Sequence, residues 1–496
     1  MNITRRKLLK RLGASLVAGA TLPLFNIGCV GFGESRARQL AKGDRIRLAL
    51  IGCSLFMRNA HIKRLHGDGN VEIVALCDPD PRMIAAVKEA AVRHYGSFDW
   101  SKSRDFADYR EMFDKVGDQL DAVIIASTNH HHALPAVMAM RRGVHVFLEK
   151  PLAHTMDEAL LLAEEARRSG VITQGGNYGH CTDCRAEAVK SLRRGDIGEI
   201  TDVYCFSDRV NSMLFRPPSE PPPKGMDWDL WCGGSPVCEY YGEYGKNKAR
   251  TGLHPHDWHS WIDYGNGSIG NMGMHIMDAA YTALDLWKVD PVRVDVLDVA
   301  WPGCPGAWAL RDAFDFHFPA RPGFGPVTLH WRDGMKDGVE MDEPYMDGAL
   351  NMCRRREYTN FPEELAELER KYGVKNPIPK TGTVFVGTEG MMYEEFHSIL
   401  RYYPENGRFT DINVDVTAYQ GERIVDEFLD ALRGRGVCSD SFDYAVPLCK
   451  GTMLGNMAVF AGKGASFAWN GRTSDNDAAN AHSGMIYRKG WDPFQI

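Results

Sequence analysis

Two residues early in the chain have the types and the spacing of a nucleotide-binding site. Gly52 follows the apolar run Ile46–Ile51, and Asp78 follows a second apolar run, Val71–Cys77. The interval between glycine and acid is near the roughly 20 residues that separate the two in a βαβ nucleotide-binding unit. A carboxylate at that point accepts hydrogen bonds from both ribose hydroxyls and repels a 2′-phosphate, so Asp78 favours NAD over NADP.

The glycine pattern of this unit is incomplete. The segment Gly52-Cys53-Ser54-Leu55-Phe56-Met57 keeps only the first glycine of G-x-G-x-x-G. Ser54 stands where the backbone must approach a pyrophosphate, and Met57 stands where helix and sheet pack closely. On this motif alone, a βαβ unit that binds nothing is an equal alternative to a cofactor site. The candidate cofactor residues of this turn are Gly52, Ser54, Leu55, Phe56 and Met57.

Polar residues at the ends of three later strands favour the cofactor site. Loops at the carboxyl ends of parallel strands meet in the crevice of an open α/β sheet, so their hydrogen-bonding groups converge on one cleft. The sequence therefore predicts NAD as the cofactor. The residues concerned are Ser127, Thr128, Asn129, His132, Glu149, Lys150 and Asn177.

The elements that must position these residues follow an α/β pattern. Up to about Gln174, strand-like runs alternate with amphipathic helical stretches. Such alternation predicts a parallel sheet covered on both faces, and we place this nucleotide-binding domain at residues 45–175. Its strands are predicted at 46–51, 71–77, 122–126, 144–148 and 171–173, and two of its helices at 83–95 and 156–168.

After Gln174 the pattern changes. Strand-like segments are separated by long insertions rich in Pro, Gly, Trp and charged residues. This pattern predicts an α+β domain over 176–496 whose long loops carry functional residues. Its strands are predicted at 200–206, 292–299 and 327–331, and a helix at 419–432.

Composition excludes several classes of protein. The 496 residues are 44% hydrophobic, 25% charged and 10% aromatic, which are globular values that exclude disorder, collagen and coiled coil. The formal net charge is −7 and no basic stripe is present, so a nucleic-acid partner is not expected. No apolar stretch reaches the roughly 18 residues of a transmembrane helix, so we expect no membrane span.

The first 30 residues have the pattern of an export signal. Basic residues that include the pair Arg5-Arg6 precede a short apolar run. The pair resembles a twin-arginine signal, so we predict a signal peptide at 1–30, a linker at 31–44 and a periplasmic or otherwise exported protein. A lipid anchor at Cys29 is left open, because Asn26 stands where a lipobox usually has Leu.

A set of short motifs extends over nearly the whole chain from residue 45. They are Glu149-Lys150-Pro151, Asn177-Tyr178-Gly179-His180, Trp228-Asp229-Leu230-Trp231, Asp263-Tyr264-Gly265, the segment 272–278, Phe442-Asp443-Tyr444 and the segment 487–491. Together they resemble the glucose–fructose oxidoreductase, inositol dehydrogenase and rhizopine-catabolism (Gfo/Idh/MocA) family, in particular its exported twin-arginine branch. The resemblance implies an NAD-binding Rossmann domain followed by an α+β domain with a large, mostly antiparallel, open-faced sheet. It also implies a homo-oligomer, either dimer or tetramer.

The resemblance implies a catalytic centre around Lys150. In the family this lysine faces substrate and nicotinamide, often before a cis peptide, and neighbours an Asp-x-x-x-His pair on one helix face. Here the pair is Asn271 and His275, so the acid has become an amide that accepts no proton. Proton transfer is then expected from Lys150 or from His275. Burial and a cationic nicotinamide should lower the pKa of Lys150. A carboxylate at position 271 is expected to raise the pKa of His275.

Substrate contacts are expected from the second domain. Tryptophan beside acids in long loops can bind sugars through ring faces and hydroxyl hydrogen bonds, although such residues are as often part of the core. The partner is accordingly predicted to be a small sugar or glycoside. The candidate substrate-binding residues are Tyr178, His180, Trp258 and Asp278.

No metal site is predicted. The spacing of His254, His256 and His259 fits no common zinc pattern, and Cys181 and Cys184 form a C-x-x-C without a second pair. The 12 cysteines show no disulfide framework, so free thiols are expected.

The predicted export restricts the chemistry. An exported enzyme meets no NAD pool, so its cofactor must enter bound and be recycled in place. The sequence therefore predicts an NAD-dependent oxidoreductase acting on a hydroxyl of a sugar or glycoside. Two alternatives are a glycoside hydrolase that works by transient C3 oxidation and β-elimination, and a carbohydrate-binding protein that has lost its chemistry.

Overall fold

The computed structural model describes residues 40, 44–65, 70–214, 216–242, 253–254, 256–338, 356–374, 377–395, 400–404, 410–412 and 423–496. The predicted signal peptide with Arg5, Arg6 and Cys29 lies outside the described residues, as does most of the predicted linker. Within the ranges given above, no helix is long and apolar enough to cross a membrane.

Six parallel strands form the first sheet. The alternating pattern predicts a parallel sheet, but the third strand along the chain is not among the five predicted strands. They are β1 (Ile46–Ile51), β2 (Val71–Cys77), β3 (Arg104–Phe106), β4 (Ala122–Ile125), β5 (His145–Leu148) and β6 (Thr173–Gly175). Their order is β3-β2-β1-β4-β5-β6, and every pairing is parallel. The strand order reverses between β1 and β4, which is where ligands bind in open α/β sheets.

The helices begin and end at recognisable capping residues. Asp80 caps α2 by accepting from Arg82 N, and Thr155 and Glu158 form a capping box on α5. The helices are α1 (Ile62–Leu65), α2 (Pro81–Tyr95), α3 (Tyr109–Val116), α4 (Ala133–Arg141), α5 (Met156–Ser169), α6 (Asp183–Arg194), α7 (Trp228–Cys232), α8 (Gly267–Ile276), α9 (Asp278–Ala283), α10 (Glu363–Tyr372), α11 (Arg423–Leu432), α12 (Phe442–Ala461) and α13 (Asp477–Asn480).

Nine strands form the second sheet. They are β7 (Ile200–Ser207), β8 (Arg293–Ala300), β9 (Arg311–Phe318), β10 (Val327–Gly334), β11 (Gly382–Gly387), β12 (Gly390–Glu394), β13 (Leu400–Pro404), β14 (Thr410–Ile412) and β15 (Ser466–Ala468). Their order is β14-β13-β12-β11-β7-β10-β9-β8-β15. Only the β7–β10 pairing among them is parallel, so the sheet is mostly antiparallel, as predicted.

Side chains alternate between the two faces of the first sheet, and each face has its own cover. Ile51 of β1 packs with α3, α4 and α5, whereas Leu50 packs with α2 and α11. Phe428 of α11 contacts Phe147 of β5 with ring centroids 5.8 Å apart. A helix from the second half of the chain therefore completes the cover of the first sheet.

Several elements of the second half were not predicted from the sequence, among them strand β9 and helix α12. Strand β9 pairs with β8 and β10 in the antiparallel part of the second sheet. Helix α12 packs against α5 and α8 and is buried along most of its length. Because apolar residues surround it and Pro447 lies inside it, α12 shows no amphipathic period.

Candidate cofactor and active site

The turn after β1 requires a glycine at its first position. Gly52 has a φ of +81°, and a Cβ there would lie 2.4 Å from Ser127 N. Both the left-handed backbone and the close approach of the β4 end exclude a side chain. The turn therefore requires the first glycine of the motif, even though the other two glycines are missing.

Met57 occupies the position of the third glycine of the motif. Its side chain is fully buried among the core residues of the first sheet, and Met57–His61 form a π-helical turn in which the helix is locally widened. The side chain of Met57 belongs to the core and does not line the cavity, so a contact of Met57 with the cofactor would have to come from its backbone. Leu55 and Phe56 lie outside the cavity wall, and Phe56 is exposed.

Asp78 is held at the end of β2 by backbone donors. Its Oδ2 accepts from Cys53 N at 2.8 Å and its Oδ1 accepts from Asp80 N at 2.9 Å. Burial raises the pKa of Asp78 to about 6, which the two hydrogen bonds partly oppose. The carboxylate is thereby fixed beside the glycine turn, where ribose hydroxyls bind in this type of domain.

A cavity lies at the carboxyl ends of the first strands. Its wall includes Gly52, Ser54, Asp78, Ser127 and Thr128, all of them predicted cofactor residues. Thr128 Oγ1 is buried and has no hydrogen-bond partner among the described residues, so a bound polar group can satisfy it. The glycine turn, the carboxylate of Asp78 and this hydroxyl are groups that suit a nucleotide.

The second half of the chain closes the other side of this cavity. Leu230, Trp231, His254, Trp258 and Trp491 complete the wall. Trp258, a predicted substrate-binding residue, therefore lines the same cavity as the predicted cofactor residues. His254 is held in the wall by an acid of the first domain, because its Nε2 lies 3.0 Å from an oxygen of the α2 capping residue.

An Asp78→Ala variant should bind NAD more weakly. Loss of hydrogen bonds to a charged acceptor costs about 1.5–3 kcal/mol, which is about a 10- to 150-fold rise in Kd. Calorimetry of NAD binding checks this, with the exposed Asp114→Ala as control. An unchanged Kd for Asp78→Ala would show that Asp78 does not hold the ribose.

Lys150 and Asn271 form a direct pair at the end of β5. Lys150 Nζ donates to Asn271 Oδ1 at 2.9 Å and to Asn271 O at 3.3 Å. Burial lowers the pKa of Lys150 to about 8, although the charge of Glu149 opposes this change. The Lys150–Pro151 peptide is cis, as the resemblance implied. The lysine is therefore partly neutral near physiological pH, as a proton acceptor needs to be.

His275 is held by Asn177 and not by Asn271. Asn177 Nδ2 donates to Met274 O at 2.8 Å, which turns its Oδ1 toward His275 Nδ1, also at 2.8 Å. His275 therefore carries its proton on Nδ1, and Nε2 is the basic nitrogen of the neutral ring. Asn271 contacts Lys150 and not His275. A change at position 271 is therefore expected to act on the pKa of Lys150, in place of the pKa of His275. The ring of Tyr178 lies against His275, with centroids 4.9 Å apart.

The carboxylate of Asp278 accepts hydrogen bonds from three protein side chains. Its carboxylate accepts from His180 Nδ1 at 2.9 Å, from Arg185 Nη1 at 2.5 Å and from Tyr444 Oη at 2.5 Å. The carboxylate raises the pKa of His180 to about 9 against the effect of burial. The predicted substrate contacts of Asp278 and His180 are therefore corrected to a buried ionic network that supports the site.

Removing Arg185 should destabilise the protein strongly. Arg185 also donates to Glu394 Oε1 at 2.8 Å, so Arg185→Ala leaves the buried Glu394 without its cation and leaves Asp278 with His180 as its remaining cation. Breaking a buried pair in this way costs about 3–5 kcal/mol. Urea denaturation measures the loss, and the exposed Arg194→Ala is the control that should change little. An equal free energy of unfolding for both variants would contradict the account.

The remaining predicted cofactor residues position the strand ends. The ring nitrogens of His132 lie 2.7 Å from Pro151 O and 3.0 Å from Ser127 O, and so link the ends of β4 and β5. Asn129 is buried at the start of a 3₁₀ turn. Glu149 Oε1 accepts from His61 Nε2 at 2.9 Å.

His61 is a residue that sequence reasoning missed. It lies in the π-helical turn after β1 and ties that turn to Glu149 at the end of β5. The sequence around it carries no motif, so only the fold shows the contact. In the described ranges, no group of three or more His, Cys, Asp or Glu side chains is arranged to hold a metal ion.

Comparison with known proteins identifies the first domain. Residues 46–176 match the family model GFO_IDH_MocA, described as an oxidoreductase family with an NAD-binding Rossmann fold. Over these residues the chain is similar to the Gfo/Idh/MocA oxidoreductase family. The match supports an NAD-binding Rossmann domain, in agreement with the position of Asp78.

Curated relatives of the chain are distant. It is 29% identical over 215 residues to a glycosyl hydrolase family 109 protein of Shewanella pealeana, which is 40% of this chain and 45% of that protein. It is 33% identical over 127 residues to D-apiose dehydrogenase of Paraburkholderia graminis, which is 26% of this chain and 31% of that protein. The chain thus spans less than half the length of these two relatives.

The two domains together are similar in fold to solved oxidoreductases. The aldose-aldose oxidoreductase from Caulobacter crescentus, crystallised with glycerol, superposes with a TM-score of 0.53 at 15% identity. The match covers 86% of this chain and 100% of that chain. At this identity the likeness shows the fold, including the mostly antiparallel sheet.

Proposed function

We propose that the protein is an NAD-dependent oxidoreductase acting on a hydroxyl of a sugar or glycoside. The observation that carries this is the Lys150–Asn271 pair, whose lysine has a pKa lowered to about 8 at the end of β5. It lies in the sheet next to the strand ends that form the dinucleotide cavity. The name of the D-apiose dehydrogenase relative supports a sugar substrate.

In this proposal two side chains move protons. NAD, when bound, supplies the hydride acceptor. Neutral Lys150 accepts the proton of the substrate hydroxyl as its carbon loses hydride, and Asn271 holds the resulting ammonium through two oxygens. His275, with its proton fixed on Nδ1 by Asn177, offers Nε2 as a second acceptor.

A redox-assisted glycoside hydrolase is the second candidate. The glycosyl hydrolase family 109 name of a relative favours it. In that chemistry, oxidation at C3 makes the C2 proton acidic, a base removes it, and the glycosidic oxygen leaves by β-elimination. Water then adds, and C3 is reduced again, so the reaction is redox-neutral overall. His275 is the candidate base for C2, while Lys150 serves the C3 hydroxyl.

The proposal includes export and a cofactor that stays bound. It rests on the predicted twin-arginine signal, on the absence of a free NAD pool outside the cytoplasm, and on a cavity closed from both halves of the chain. The protein is further proposed to be a homo-oligomer, with lipid attachment at Cys29 as an alternative to a free periplasmic form.

One experiment tests the function and separates its two forms. Native mass spectrometry of the purified protein should show bound NAD, and the holoprotein is then incubated with a panel of sugars and glycosides. Keto-sugar that accumulates only with a second, reducible sugar indicates the oxidoreductase, and released aglycone without net oxidation indicates the hydrolase. Bound NAD with neither product from any substrate would contradict both.

A further inference from the structure

The cavity wall contributed by the second half contains two nearly buried tryptophans. Trp231 on α7 is 4% exposed, and Trp491 is 5% exposed. Both line the same cavity as Gly52 and Asp78. Neither residue belongs to the Gfo/Idh/MocA domain at 46–176.

Helix α7 is docked directly on the strand ends of the first sheet. Asp227 N donates to Pro79 O at 2.9 Å, next to Asp78. The Nε2 atoms of His130 and His131 both lie 2.9 Å from Trp231 O. The glycine that ends the helix, at position 233 with a φ of +55°, comes so close that a Cβ would lie 2.1 Å from His131 Cε1. The helix is therefore closely packed against this surface.

Residues 487–491, here called the clasp, hold α7 from outside. Arg488 makes four hydrogen bonds with the helix and the glycines that follow it. Its N donates to Gly234 O at 3.1 Å, its Nη1 to Gly233 O at 3.0 Å and to Asp229 O at 3.3 Å, and its Nη2 to Asp229 Oδ1 at 2.6 Å. The guanidinium therefore binds two backbone carbonyls, and carbonyls at the C-terminal end of a helix favour a cation. Arg488 thus joins the clasp to α7.

The clasp is also attached to the first domain. Tyr487 Oη donates to Glu158 Oε1 at 2.7 Å on α5. Arg110 on α3 donates from Nη1 to Gly490 O at 3.1 Å, and its guanidinium carbon lies 3.7 Å from the centre of the Trp491 ring. The clasp therefore bridges α3, α5 and α7 across the cavity wall.

We infer that the clasp retains the nucleotide, with Trp231 and Trp491 as walls of the adenosine half of the site and Arg488 as the residue that keeps them closed. The adenosine half is assigned because Asp78 and the end of β3 line the same cavity. Departure on this side requires the clasp contacts to break, so they slow dissociation. The inference rests on the proposed function, in which NAD stays bound through turnover.

Nucleotide exchange measures this retention directly. Holoprotein carrying unlabelled NAD is mixed with excess isotopically labelled NAD, and native mass spectrometry follows exchange over time. Arg488→Ala and Trp491→Ala should exchange about 10- to 100-fold faster than wild type. Lys463→Ala removes an exposed lysine outside the clasp, whose side chain is 67% accessible, and this control variant should exchange at the wild-type rate.

Two conservative variants keep the test decisive if an alanine variant fails to fold. Arg488→Lys and Trp491→Phe should show intermediate exchange rates, because each keeps part of the contact. Wild-type exchange rates in Arg488→Ala and Trp491→Ala, with NAD still bound, would overturn the clasp but leave the proposed function intact. A wild-type protein that binds no NAD at all would overturn the proposed function, and the clasp with it.

Discussion

A Lys150→Met variant will keep its NAD but turn over its sugar substrate about 10²- to 10⁴-fold more slowly than the wild type. The loss follows because Met fills a similar volume but cannot accept the hydroxyl proton. Asp78 and the glycine turn, which are proposed to hold the nucleotide, are unchanged in this variant, so NAD binding should change little. Steady-state kinetics gives kcat, and mass spectrometry gives NAD occupancy.

The matched control is Lys190→Met, which removes an exposed lysine whose side chain is 67% accessible. It should leave kcat unchanged. If Lys150→Met kept wild-type kcat, proton transfer would have to be assigned to His275 alone.

Asn271→Asp is the second variant with a large expected effect. A carboxylate in place of an amide oxygen 2.9 Å from Lys150 Nζ favours the ammonium and should raise the pKa of the lysine by about 1–3. Because the base must be neutral, the rising limb of the pH–rate profile should move from about 8 to higher pH. Near pH 7, where most of the lysine is protonated, a pKa that is higher by about 1 lowers the rate about tenfold.

Asn271→Ala separates charge from position. It removes the acceptor without adding charge, so kcat should fall while the rising limb does not move to higher pH. A limb that stays in place in Asn271→Asp would show that Lys150 is not the titrating base. Activity that appears only in Asn271→Asp would show the wild type to be the degenerate binding protein.

The sequence was sufficient for the architecture of the first domain. Strands β1 and β2 coincide with the predicted runs, because buried parallel strands are continuous apolar segments bounded by Gly52 and Asp78. Strand β9 could also have been found, since its charged and aromatic residues alternate. Helix α12 could not, because burial on all sides leaves no period to detect.

Sequence spacing placed two candidate residues on one helix but did not show their hydrogen-bond partners. Spacing placed Asn271 and His275 on one helix, and the structure confirms α8, yet Asn271 binds Lys150 while Asn177 binds His275. Such pairings depend on which strand end faces which helix. The clasp contacts with α7 likewise join distant segments, since 255 positions separate the two residues of one of these hydrogen bonds.

The most direct test of the Lys150–Asn271 centre is the pH dependence of hydride transfer in a single turnover. Stopped-flow absorbance of the reduced nicotinamide follows reduction of the bound cofactor after an accepted sugar or glycoside is added, from mildly acidic to alkaline pH. The rate constant should rise with pH to a plateau, with a midpoint near about 8, and Lys150→Met should show almost no reduction. A rate constant that is independent of pH and equal in Lys150→Met would contradict the account.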